Sequence, residues 1–191
     1  MTSERRGNWR LGGRFVIERE VGRGGAGVVY RAFDTQTDQV VALKVIAGDA
    51  GVAAEDEARL QREGELLSSL DHPGIVKTVA YGHLEDTEQA FVAMEWLDGE
   101  DLAVRQAHAP LRLRQIVHLA LAVSDALGAA HEAGVVHRDI KPSNIFLCRP
   151  PSDSPESPLD FIPKLVDFGV AVCENIRVTR TGDLVGTPAY M

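Results

Sequence analysis

Residues 135–147 read VVHRDIKPSNIFL, and the reading of this stretch decides the rest of the chain. His137, Arg138, Asp139, Lys141, Ser143 and Asn144 stand between two short apolar runs. Such runs predict buried strands, so the pattern predicts a loop held by a strand at each end. A loop that only connects elements has little use for a carboxylate, an ammonium and an amide side by side. Gathering them on a rigidly held loop is a common way to build a site. Further on, KLVDFG at residues 164–169 closes another β-like run on Asp167, ahead of a hinge-like glycine. Asn144 and Asp167 offer hard oxygen donors of the kind that hold Mg²⁺ carrying nucleotide phosphates.

Toward the N-terminus, VGRGGAGVVY (residues 21–30) places Gly22, Gly24 and Gly27 in a G-x-G-x-x-G spacing. Glycines let backbone N–H groups approach a phosphate closely, although a glycine-rich hairpin turn accounts for the same residues equally well. A dinucleotide-binding fold requires a helix directly after the last glycine. Val28, Val29 and Tyr30 continue as strand instead, which excludes it. In VALKVI, Lys44 is the one charge in an apolar run. It is either an exposed-face lysine or a buried ammonium that needs a counter-charge and an anion. Glu63 could supply the counter-charge, in competition with Glu55, Glu57 and Glu65.

The wider composition narrows the class. The chain has 191 residues, 45% of them hydrophobic, a net charge of -8 and a pI near 5.2. This balance argues against nucleic acid or an anionic membrane as the main partner. Arg5, Arg6, Arg10 and Arg14 read as a solvated basic leader over residues 1–13 and its edge. The two cysteines, Cys148 and Cys173, suit a reducing compartment without a disulfide framework. There is no apolar run near the ~20 residues of a membrane helix and no apolar signal-peptide core, so the expected setting is cytoplasmic. Strands are predicted in RFVIEREVG, GVVYRAFD, QVVALKVI, HPGIVKTVAYGHL and QAFVAMEWL, with an amphipathic helix in AAEDEARLQREGELLSSL. After Asp98-Gly99 a long apolar helix is expected over residues 111–130, with a face broad enough to need cover on more than one side. The Pro- and Ser-rich residues 149–162 read as a flexible surface insertion. The class is α+β, strands first and helices second.

The order of these blocks resembles the eukaryotic-type serine/threonine protein kinases of bacteria. The blocks are the glycine loop, the lysine strand, the helix glutamate, HRDIKPSN, DFG and GTPAYM. Lys141, two residues past Asp139, matches the serine/threonine branch. The resemblance implies a two-lobe kinase fold, with a complete N-lobe at 14–98 and the first part of a helical C-lobe at 99–191. It implies transfer of the γ-phosphate of ATP, with Mg²⁺ or Mn²⁺, to hydroxyls of protein substrates. Gly22, Gly24 and Gly27 would cover the phosphates, and Val29 and Ala42 would touch the adenine, with Val21 and Phe146 in the same ATP-binding set. Lys44, held by Glu63, would bind the α/β-phosphates. Met94 would be the gatekeeper, Glu95 to Leu97 the hinge, and Asp101 a ribose-binding acid. Asp139 would take the substrate proton, Lys141 would steady the γ-phosphate, and Asn144 and Asp167 would hold the metal. Arg138 would pair with phosphorylated Thr179 and Thr181, while Thr187 would contact Asp139 and Lys141.

Some features sit less smoothly in the pattern. Gly64 lies inside the helix that must position Glu63, where glycine costs about 1 kcal/mol relative to alanine. Thr78 occupies an expected aliphatic site. The chain ends at Met191, inside the activation segment, ahead of a further helical half-lobe that the resemblance implies. The second reading is therefore a catalytically incompetent ATP-binding or interaction fragment, self-associating through an uncovered C-lobe helix.

Overall fold

Alternation with a period of two, clearest in GVVYRAFD and QVVALKVI, builds the first sheet. The computed structural model describes residues 9–24, 27–47, 64–87, 89–150 and 160–168. The sheet's strands are β1 (Arg10–Leu11), β2 (Phe15–Gly24), β3 (Gly27–Asp34), β4 (Gln39–Ile46), β5 (Thr78–His83) and β6 (Ala90–Glu95). They lie in the order β1-β2-β3-β4-β6-β5. Register sets Tyr30 opposite Leu43 and Leu43 opposite Ala93. These three therefore share a face, and with Ala32, Val41, Val45 and Phe91 they form the core of this unit. Phe15 closes the core with its ring edge-on to Phe91, centroids 5.0 Å apart. Burial of each large side chain such as Leu43 stabilises by about 1.5–3 kcal/mol.

The two outer ends of the β2–β3 pair are tied by charge. Arg14 Nε and Nη2 donate to the two carboxylate oxygens of Asp34 at 2.7 and 2.6 Å. The Gln36 N–H and the Thr37 hydroxyl donate to the same carboxylate at 3.0 and 2.8 Å. Asp34 is fully buried. Burial alone would push its carboxyl up, but the Arg14 guanidinium and these two donors outweigh it and hold the carboxyl at about 2.

The chain divides into two packed units, Met1–Glu57 with Val79–Trp96, and Ala58–Thr78 with Leu97–Met191. The second contains α1, described over residues 64–69, and β7 (Gly99–Asp101), α2 (Leu102–His108) and α3 (Leu113–Glu132). A 3-10 turn at Pro142–Asn144 leads into β8 (Ile145–Cys148), and β9 (Ile162–Leu165) completes a three-stranded sheet ordered β7-β8-β9. Residues 58–78 group with the unit that begins again at Leu97, not with the strands that flank them in sequence. The reason is local anchoring. The Val76 N–H donates to Leu165 O at 2.9 Å, and the Leu165 N–H donates to Gly74 O at 2.8 Å. His72 Nε2 also lies 3.2 Å from Asp125 of α3. Residues 72–77 are used in these contacts and, apart from one bridge at Ile75, are not the strand their apolar content suggests.

Two further expectations are corrected. Val135–Val136 form no strand, because Gly134 ends α3 with φ 77°. Its N–H donates to His131 O and the Val135 N–H to Ala130 O, the paired bonds of a Schellman cap. The loop over residues 137–144 therefore hangs from a capped helix on one side and a strand on the other. Second, the insertion predicted at 149–162 is shorter. Arg149 donates from its backbone to Asp98 O at 2.8 Å, Asp160 accepts from Arg105 at 2.7 Å, Phe161 is buried, and Ile162 already belongs to β9. Residues 151–159 lie outside the described residues. On α3, Leu119, Ala126 and Ala130 are buried, whereas Leu113, Ile116, Val117 and Leu121 are exposed. No helix among the described residues is long and apolar enough to cross a membrane.

Candidate active site

In the first unit several of the expected site residues fall on one face of the sheet. Val29 pairs with Lys44 and Lys44 with Val92; Arg31 pairs with Ala42 and Ala42 with Met94. Since laterally paired residues point the same way, Val29, Ala42, Lys44 and Met94 share the face opposite the core. Lys44 is 7% exposed, which rules out a solvent-facing lysine. Gly22 and Gly24 have open space where a Cβ would stand. Gly27 does not: at φ 139° an added Cβ would run into the Val45 carbonyl. Gly27 is thus required by the close approach of β3 and β4, and steric need leaves Gly22 and Gly24 unexplained. Val21 is exposed, and Glu95 ends β6 ahead of Trp96. Residues 25 and 26 lie outside the described residues.

In the second unit, antiparallel pairing of β8 with β9 sets Ile145 against Leu165. Asn144 precedes the one strand and Asp167 follows the other, so both expected metal donors stand at the same end of the pair. Asn144 Nδ2 donates to Asp139 O at 2.7 Å and to Asp139 Oδ2 at 3.1 Å. That use of the nitrogen leaves the amide oxygen as the end suited to a cation. Lys141 Nζ lies 2.7 Å from Asp139 Oδ2. Among the described residues no three His, Cys, Asp or Glu side chains form a metal cluster of their own. A cation here would therefore need further oxygens from a ligand, which is how Mg²⁺ is ordinarily held.

His137 organises this loop, a role not assigned to it from the sequence. It is 1% exposed, and its Nε2–H donates to Val166 O at 2.9 Å, while Nδ1 faces the Asp139 N–H at 3.4 Å. Its ring packs on Phe168, centroids 4.4 Å apart. Burial pushes the imidazole below its usual pKa, consistent with one ring nitrogen donating and the other accepting. Val166 in turn donates to Asn144 O at 3.0 Å. Arg138 and Asp167 flank this contact with positive φ of 64° and 67°. Backbone of that kind persists where surrounding bonds over-determine it, and it clusters at functional sites. A histidine between two valines on one side and charges on the other was the signal available in sequence.

The remaining expected residues are scattered or beyond reach. Asp101 caps α2, accepting from the Val104 N–H at 2.9 Å, so its carboxylate has a structural task besides any contact with ribose. Phe146 and Leu97 are half-buried. Glu63, Thr179, Thr181 and Thr187 lie outside the described residues.

The protein kinase domain family matches residues 15–191. The chain is 37% identical over 184 residues to the serine/threonine-protein kinase pkn3 of Myxococcus xanthus, covering 93% of this chain and 32% of that protein. It is 39% identical over 181 residues to the serine/threonine-protein kinase PknD of Mycobacterium tuberculosis, covering 94% and 26%. It thus spans about a quarter to a third of the length of these relatives. The crystal structure of the Mycobacterium tuberculosis PknI kinase domain superposes with a TM-score of 0.69 at 29% identity, over 85% of this chain and 62% of that one.

Proposed function

The chain belongs to the protein kinase domain family, and we propose that its two half-sites serve transfer of the γ-phosphate of ATP to serine or threonine hydroxyls of proteins. The observation that carries this reading is the shared end of the β8–β9 pair, where Asn144 and Asp167 both stand, with Asn144 hydrogen-bonded to Asp139 and Asp139 paired with Lys141.

The donor set fits Mg²⁺: one carboxylate and one amide oxygen, with phosphates to complete the shell. When bound, the metal would neutralise charge on the β- and γ-phosphates. Asp139 accepts the proton of the substrate hydroxyl and aims its oxygen. Lys141 offsets charge on the transferred group, and Asn144 holds the Asp139 carboxylate by its Nδ2. Lys44, itself nearly buried, binds phosphate oxygens where its charge is little screened. Val29, Ala42 and Met94 supply apolar cover for the adenine. Catalysis of this kind is mainly positioning and charge neutralisation. Thr179 and Thr181, downstream of Asp167, are the expected activating phosphosites, with Arg138 as their partner. The use of ATP supports a cytoplasmic setting.

Titration of the chain with ATP, with and without Mg²⁺, tests the nucleotide half of this reading. Lys44→Met should abolish binding, and Asp167→Asn should remove its dependence on Mg²⁺. Unchanged titrations in both variants would contradict it.

A further inference from the structure

Two arginines face each other across β2 and β3. Register sets Arg19 opposite Arg31, after an irregularity at Glu18 that shifts β2 relative to its neighbour. Like charges directly opposite destabilise a sheet, so the pair needs a compensating partner. Trp96 supplies one: its ring lies 5.6 Å from the Arg19 guanidinium and 5.2 Å from that of Arg31. The Glu18 carboxylate forms an ion pair with Arg31.

Arg31 is also laterally paired with Ala42, and Ala42 with Met94. The arginine pair therefore continues the row of the nucleotide face, and Trp96 follows Met94 by two residues. Trp96 stands between Glu95 and Leu97, whose backbone is the expected contact for the adenine edge. We infer that Arg31 and Arg19 act as positioning residues for ATP, holding the Trp96 ring by cation–π contact so that the hinge backbone keeps its adenine-binding geometry. This rests on the nucleotide reading above.

The mechanism makes a distinction that general destabilisation does not. Loss of the clamp should weaken ligands that carry the base and spare those that carry only phosphates. The experiment is calorimetric titration of the 191-residue chain with ATP, adenosine and tripolyphosphate. Trp96→Ala should weaken ATP and adenosine about tenfold, the scale of losing two partly desolvated cation–π contacts, and Arg31→Ala, which loses one of the two, about threefold. Tripolyphosphate affinity should hold within about twofold, and Trp96→Phe, which keeps a ring face, should restore most of the ATP affinity. In a Trp9→Phe background, Trp96 emission should shift to the red on Arg31→Ala. Equal losses for ATP and tripolyphosphate, or unchanged ATP affinity in Trp96→Ala, would overturn the inference. Should Trp96→Ala fail to fold, Arg31→Gln decides by the same three ligands. Wild-type chain that binds no ATP would refute the nucleotide reading, and the inference with it. ATP binding that is lost in Lys44→Met but indifferent to Trp96 and Arg31 would refute the inference alone.

Discussion

Replacing Asp34 by Asn removes the charge and one of the two acceptor oxygens that tie the start of β2 to the end of β3, the hairpin that carries the glycine loop. The fully buried carboxylate sits at about 2 against an ordinary value of 3.8. A depression of this size corresponds to about 2 kcal/mol of folding stability at pH 7. The sign follows from the direction. Because the folded pKa lies below the unfolded one, the contribution is complete above about pH 5 and is lost as pH falls through 4 toward 2. About half of it should remain at pH 3. Urea unfolding of wild type and Asp34→Asn, each at pH 7, 5, 4 and 3, reads the difference directly. At pH 7 the gap should be at least about 2 kcal/mol, since Arg14, only 18% exposed, is left without its carboxylate. It should be little changed at pH 5 and should narrow by about 1 kcal/mol at pH 3. A gap that is constant across this range would refute the reasoning, because it would mean the carboxylate is not held ionised by its partners.

Two other outcomes follow from the same structure. Replacing residues 151–159 by a short glycine linker should leave unfolding unchanged, whereas Asp160→Ala, which removes acceptors from Arg105 and Gln115, should lower the urea midpoint measurably. The 191-residue chain should self-associate in sedimentation, because Leu113, Val117 and Leu121 stand 76%, 50% and 64% exposed on α3; Leu113→Lys with Leu121→Lys should return it to monomer.

The strands of the first unit were legible because alternation with a period of two also says which face is buried. The even residues of β3 and the odd residues of β4 form the core, and Val29, Ala42, Lys44 and Met94 fall on the other face by parity alone. Asn144 and Asp139 were legible as neighbours, since an amide and a carboxylate have little other reason to gather between apolar runs. Less was legible where long-range bonds compete with local propensity. Val135 and Val136 read as strand by composition, yet a helix cap claims the Val135 N–H. Residues 72–77 read as strand but are held singly by Gly74 and Leu165. The insertion looked longer because Phe161 and Ile162 sit beside prolines, and only tertiary contact reveals them as core and sheet. The Arg19–Arg31–Trp96 cluster was invisible, since it depends on an irregular register in β2.

The central claim is that Asp139 and its hydrogen-bonded loop direct the γ-phosphate of ATP to a protein hydroxyl. Its most direct test is transfer of labelled γ-phosphate to serine- and threonine-containing peptides, using a version extended past Met191 through the helical half that the resemblance implies. Wild type should label serine or threonine in a Mg²⁺-dependent manner, and Asp139→Asn should reduce the rate at least about a hundredfold while ATP affinity is retained. Transfer by Asp139→Asn at the wild-type rate would contradict the account.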